Sequence, residues 1–121
     1  MSSKENKSYR KGANRERKIK KMLEDRGHEV FRVAGSKGLI DLVVLDQRGN
    51  VYLVQVVSVS AGRKRIETYK KKLCEKYAGK MFYVMLVIYF SEKKIETYTL
   101  FADGRWERTP WITKIEGDGK N

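Results

Sequence analysis

This sequence is short of the residues that staple or punctuate a chain. Its single cysteine, Cys74, excludes an intramolecular disulfide framework. Together with His28, the only histidine, it leaves no ordinary zinc site. There is one proline, Pro110, so the rest of the chain is free of its breaks. The longest apolar run, Met81 to Phe90, is too short to cross a bilayer as a helix, and no membrane association is expected. The opening residues are polar and charged, unlike a signal peptide, and a reducing cytoplasm is the expected compartment. Acid is scarce beside base: 15 Asp and Glu stand against 27 Lys and Arg, a formal net charge of +12 over 121 residues. That length supports one domain, and that excess favours a polyanionic partner, with nucleic acid foremost.

The pattern predicts the order α-β-β-β-α-β-β. Met1 to Ser8 reads as a flexible basic arm, residues 9–112 as a single domain and residues 113–121 as a frayed tail. Ile19, Met22 and Leu23 are at helical spacing within Ala13 to Arg26, with Gly27 as the stop. Strands are expected at Glu29–Val33, Leu39–Leu45, Val51–Val59, Lys80–Phe90 and Ile95–Phe101, with a basic helix at Arg63–Ala78. The chain then turns through Ala102-Asp103-Gly104-Arg105 toward Trp106 and Trp111, a pair suited to covering a sheet edge or a partner.

Two carboxylates draw notice. Glu16 shares a helical stripe with Ile19 and Leu23, at the edge of the inward face. Its plainer reading is a solvated carboxylate favoured by the helix dipole. Asp41 interrupts the apolar stretch Leu39 to Leu45, where a buried aspartate is costly without a cation, a metal or several donors. Its plainer reading is the exposed start of a strand after a glycine turn. Alternation places Asp41 on one face with Val43, and Gln55 on one face with Leu53 and Val57. If the two strands form a hairpin, Asp41 and Gln55 converge, with Glu16 approaching from the helix. Oxygen ligands so placed hold Mg²⁺ in many phosphodiesterases.

The segments Tyr9-Arg10-Lys11-Gly12-Ala13, Glu16-Arg17, Phe31 to Lys37 and Asp41-Leu42-Val43 resemble, in order and spacing, the archaeal Holliday junction resolvases. The resemblance covers roughly residues 9 to 90. It implies a restriction-endonuclease-like α/β fold, a central mixed five-stranded sheet flanked by helices, and a PD-(D/E)xK site. It also implies a homodimer that cuts four-way junctions with Mg²⁺, and the apolar stretch Met81 to Phe90 offers the second subunit a surface. By the resemblance Glu16 and Asp41 are metal-site carboxylates, Arg17 and Arg32 lie near the scissile phosphate, and Ser36 is the serine of the glycine-containing loop. Gln55 falls at the strand carboxylate, a third metal position, and Val57 at the catalytic lysine. A shift of one residue puts Val56 and Ser58 there instead. Either way the strand lacks its charged pair. Loss of such a donor costs roughly a hundredfold to a thousandfold in rate. Lys37 and Lys64 are the nearest candidates for a migrated lysine.

Two basic clusters flank this region. Lys4 to Lys21 holds nine Lys and Arg against Glu5 and Glu16, and Arg63-Lys64-Arg65 opens the second helix. Each is readable as a solvated face. With Arg10, Lys11, Arg17, Arg32, Ser36 and Lys37, they are also readable as a track for DNA phosphates. Three functions therefore compete: a branched-DNA binder with cleavage lost or weak, an active Mg²⁺-dependent endonuclease with a rearranged site, and a basic RNA-binding or scaffold protein. The order and spacing of the motif residues favour the first two. Val57 weighs against the second.

Overall fold

The computed structural model describes residues 3–33 and 38–109, with side chains from residue 11 onward. The first helix, α1, spans Ser3–Asp25. It begins ten residues before the expected start, so most of the expected arm is helical. The polar stretch ahead of Ala13 has no apolar spacing to betray a helix, yet only glycine and no proline interrupts it. Gly27 ends the helix at φ +93°, with the His28 amide donating to the Leu23 carbonyl at 3.1 Å.

Six strands follow: β1 (Glu29–Arg32), β2 (Leu42–Leu45), β3 (Val51–Ser58), β4 (Tyr83–Ser91), β5 (Lys94–Leu100) and β6 (Trp106–Arg108). They form one sheet in sequence order. A 3-10 turn (Val59–Ala61) and helix α2 (Arg63–Tyr77) carry the chain from β3 to β4, whose pairing is the single parallel one, all others being antiparallel. The sheet has one strand more than expected. Trp106–Arg108 pairs with Tyr98–Leu100, and the Trp106 indole donates to the Lys70 carbonyl of α2 at 3.2 Å. Pro110 and Trp111 lie outside the described residues.

The sheet is covered on both faces. Ile19 and Leu23 of α1 pack with Val30, Leu42, Val44, Val54, Val56, Met85 and Val87. On the opposite face Ile66 and Leu73 of α2 pack with Val57, Val84, Leu86, Ile88 and Leu100. β4 is therefore an interior strand. Val84 to Ile88 are all buried, so the middle of the expected subunit surface in Met81 to Phe90 is core instead, while Met81 and Tyr83 at its start are exposed. The strand's uniform hydrophobicity reflects two covered faces.

The β2–β3 hairpin turns at Asp46-Gln47-Arg48-Gly49-Asn50 as expected. Burial would raise Asp46, but hydrogen bonds from Asn50, Tyr52 and the Arg48 amide hold its carboxyl down to about 2. Cys74 is a partly buried filler with its thiol 3.6 Å from the Gly104 carbonyl.

Candidate functional site

β3 is eight residues long and β2 only four, so the second half of β3 runs past the start of β2. Asp41 sits at that step. Its amide donates to the Val54 carbonyl at 2.8 Å, its carbonyl accepts from Val33 at 2.9 Å, and its Oδ2 accepts from the Val56 amide at 3.0 Å. The carboxylate thus satisfies a strand donor that β2 does not reach. The same Oδ2 accepts from Gln55 Nε2 at 3.0 Å. The expected convergence of Asp41 and Gln55 across the hairpin is therefore present in the geometry.

Glu16 approaches from another direction. Its Oε1 accepts from Arg32 Nε at 3.1 Å in a partly buried ion pair joining α1 to β1. Register fixes the faces. Gln55 is paired with Leu86 and Val57 with Ile88, both in the core beneath α2. Val54 and Val56 are paired with Met85 and Val87, in the core beneath α1. Gln55 and Glu16 consequently flank Asp41 from opposite sides of the sheet. The β3 positions that face α1 toward the end of the strand are Val56 and Ser58, those of the shifted frame.

Burial pushes the Asp41 carboxyl up to about 6 from the ordinary 3.8, and the negative charge of Glu16 adds to this; the Val56 amide, Arg32 and Arg15 oppose it. The folded protein thus keeps this proton over a range where the unfolded chain has released it. That contribution to stability is complete below about pH 4 and is lost as the pH rises to about 6. The loss amounts to about 2 kcal/mol once partial solvent screening is allowed for. Urea unfolding of wild type and Asp41→Asn at pH 4, 5, 6 and 7 checks this: the asparagine variant is expected to be flatter across that window. An equal slope in both proteins would assign the effect elsewhere.

The donor set can be compared with what Mg²⁺ requires, an oxygen octahedron with carboxylates turned toward it. Asp41 Oδ2 is taken by two N–H donors, and Glu16 Oε1 by Arg32. Gln55 turns its NH₂ to Asp41 and to the Val56 carbonyl, leaving Oε1 buried without a partner. Turning the amide over would set two acceptors 3.0 Å apart. Among the described residues no three His, Cys, Asp or Glu side chains group together. With only two carboxylates, each bonded to N–H donors, the described arrangement falls short of what Mg²⁺ requires; Gln55 satisfies Asp41 where a cation would.

Lys11, Arg17, Arg63, Lys64 and Arg65 are exposed, and Arg10 lies within α1. Ser36 and Lys37 lie outside the described residues. Sequence reasoning missed Arg15. This residue lines an open cleft of about 320 Å³ at the end of β3, together with Val56, Ser58, Ser60, Arg65 and Tyr69. Its signal was weak, one cation among nine on a basic helix.

A mixed sheet with helices on both faces, and an aspartate at the mouth of a β-hairpin beside a parallel crossover, make this an α/β fold of the kind the resemblance implied. The family description "Archaeal holliday junction resolvase (hjc)" matches residues 7–78, and the chain belongs to that family, which has the restriction-endonuclease-like fold. Its members are in general metal-dependent nucleases, and membership implies binding of branched DNA. Neither the curated proteins nor the solved structures yield a match. Among the described residues no helix is long and apolar enough to cross a membrane.

Proposed function

We propose that this protein binds four-way DNA junctions and has lost, or nearly lost, the ability to cut them. The observation that carries the reading is Asp41, whose carboxylate is held by the Gln55 amide and the Val56 N–H on a strand with no charged side chain. In the frame that matches Val57 to the lysine, the position is 5% exposed and packed in the core. In the shifted frame it is Ser58, which carries no charge. Neither frame supplies a cationic donor for a developing phosphorane.

Binding survives such losses because it rests on charge and shape. A formal charge of +12, with exposed basic residues on both helices, should neutralise several phosphates. A four-way junction is expected to bind at least tenfold more tightly than linear duplex of matched length, with affinity falling steeply between about 50 and 200 mM salt. Gel shifts at graded salt, and cleavage assays with Mg²⁺ and Mn²⁺, measure both parts. Equal affinity for the two DNAs removes the shape preference, and efficient cutting removes the loss of chemistry.

A two-fold junction is best met by a two-fold protein, and the family resemblance points to a homodimer. With the middle of β4 interior, the exposed apolar surface includes Phe31 and Val33 near the first sheet edge, and Met81 and Tyr83 at the start of β4. Light scattering at micromolar concentration is expected to give twice the monomer mass. A monomer with and without DNA would end this part of the reading.

A further inference from the structure

We propose that the cleft at the end of β3 is an anion site that seats one phosphate group of a nucleic-acid strand between the guanidiniums of Arg15 and Arg65. The naming of a strand phosphate rests on the DNA-binding reading above; the anion site itself does not.

The cleft lies where ligands gather in α/β proteins, at the carboxyl end of a strand in a parallel pair, beside the helix that crosses over. Arg15 reaches it from α1 and Arg65 from α2, so two elements on opposite sheet faces each supply a cation. Among the described residues neither arginine has a carboxylate in ion-pair range, and none of the cleft's described lining residues is acidic. The second cleft contrasts with this. Lys18 there is 2.8 Å from Glu92, and Asp25 also lines the wall, so its cations are already answered.

The hydroxyls fit the same ligand. Ser58 Oγ accepts from the Ser60 amide at 3.2 Å, and the two hydroxyl oxygens are 2.8 Å apart. One O–H is consumed in that bond, which leaves the other to donate outward. Helix α2 begins at the edge of the cleft. Its N-cap, Gly62 at φ +91°, offers no side-chain cap, so the positive end of the helix adds to the field. Two planar guanidiniums, a hydroxyl and a helix end suit a tetrahedral anion with several oxygens better than a carboxylate. Lys64 is not among the described lining residues. Among the described residues the cations beside the altered strand are Arg65 and Arg15, the latter entering from the helix that also carries Glu16.

The test uses the full chain and two probes. In a ¹⁵N NMR titration with inorganic phosphate at fixed ionic strength, the amides of Ser58, Ser60 and Arg65 and the Nε of Arg15 are expected to shift and saturate. Sodium acetate should not move them. The variant Arg15→Gln/Arg65→Gln should weaken the phosphate response at least tenfold. Both positions are at least partly exposed, and a retained spectrum elsewhere verifies the fold. Shifts spread over all basic residues without saturation would overturn the site. The second probe is an unlabelled four-way junction, which should shift the same signals. The double variant should lose about tenfold in junction affinity and about one unit of salt slope. A junction that binds without touching these signals, and equally well to the variant, overturns the proposal while junction binding stands. Saturable phosphate binding with no junction response overturns the strand assignment and identifies a site for a free phosphate.

Discussion

Val57→Lys is expected to unfold far more readily than the wild type, by about 3–5 kcal/mol in urea at neutral pH. Val57 is 5% exposed and packs with Ile66, Leu73 and Ile88 beneath α2. An ammonium there has no carboxylate beside it: the acid on that face is Glu96, two strands away across Ile88 and already bonded by Tyr98 and Arg108. It must lose its proton, force α2 away, or extend into the cleft that Val57 also lines, where it meets the like charges of Arg15 and Arg65 and no acid. Ser58→Lys is the matched control. Position 58 is only partly buried and opens on the cleft, so a change below about 1 kcal/mol is expected. If Val57→Lys proved as stable as Ser58→Lys, the facing of β3 given above would be wrong. The same result bears on any attempt to rebuild an active strand: Gln55→Glu/Val57→Lys should fail by unfolding before its chemistry can be judged.

The change expected to create activity is Val56→Glu/Ser58→Lys. These positions share one side of β3, two residues apart, and Val56 packs beneath the helix that carries Glu16. A glutamate at 56 would join Asp41 and Glu16 to give three carboxylates, the usual demand of Mg²⁺ on such a site, and a lysine at 58 would return a cationic donor. Junction cutting in Mg²⁺ is expected to rise at least about a hundredfold over wild type. Asp41→Asn should abolish the gain. Because Val56 is 7% exposed, a carboxylate there is costly without metal, so Mg²⁺ should raise the melting temperature of this variant and leave the wild type unmoved. A variant that folds, ignores Mg²⁺ in both assays and cuts nothing would show that position 56 does not look toward Glu16.

The register problem marks where the sequence stopped being legible. Strand alternation identifies a face only when one side is polar. Val51 to Ser58 is apolar on both, because α1 covers one and α2 the other, so nothing in Val54-Gln55-Val56-Val57 says which residue looks at Glu16. Asp41 was legible for the opposite reason: a lone carboxylate among Leu39, Ile40, Leu42 and Val43 must have donors, and it has two. The hairpin was legible from its turn residues. β6 was not, since three residues with one aromatic carry no period, and its place is set by Trp106 reaching α2. The start of α1 escaped because Ser3 to Gly12 has no apolar repeat. Arg15 escaped because the cleft needs two elements to exist.

The single parallel pairing has a kinetic consequence. Each flank of the sheet, β1–β2–β3 and β4–β5–β6, is a meander of antiparallel neighbours adjacent in sequence, which can close quickly. The β3–β4 seam joins partners about thirty residues apart and needs α2 laid across it, so loop-closure entropy makes it the slow step. Val56 to Ser58 lie on that seam, and Arg15 and Arg65 line the cleft at its end. Substitutions there should therefore alter how fast the two meanders dock while leaving each meander's own closure untouched.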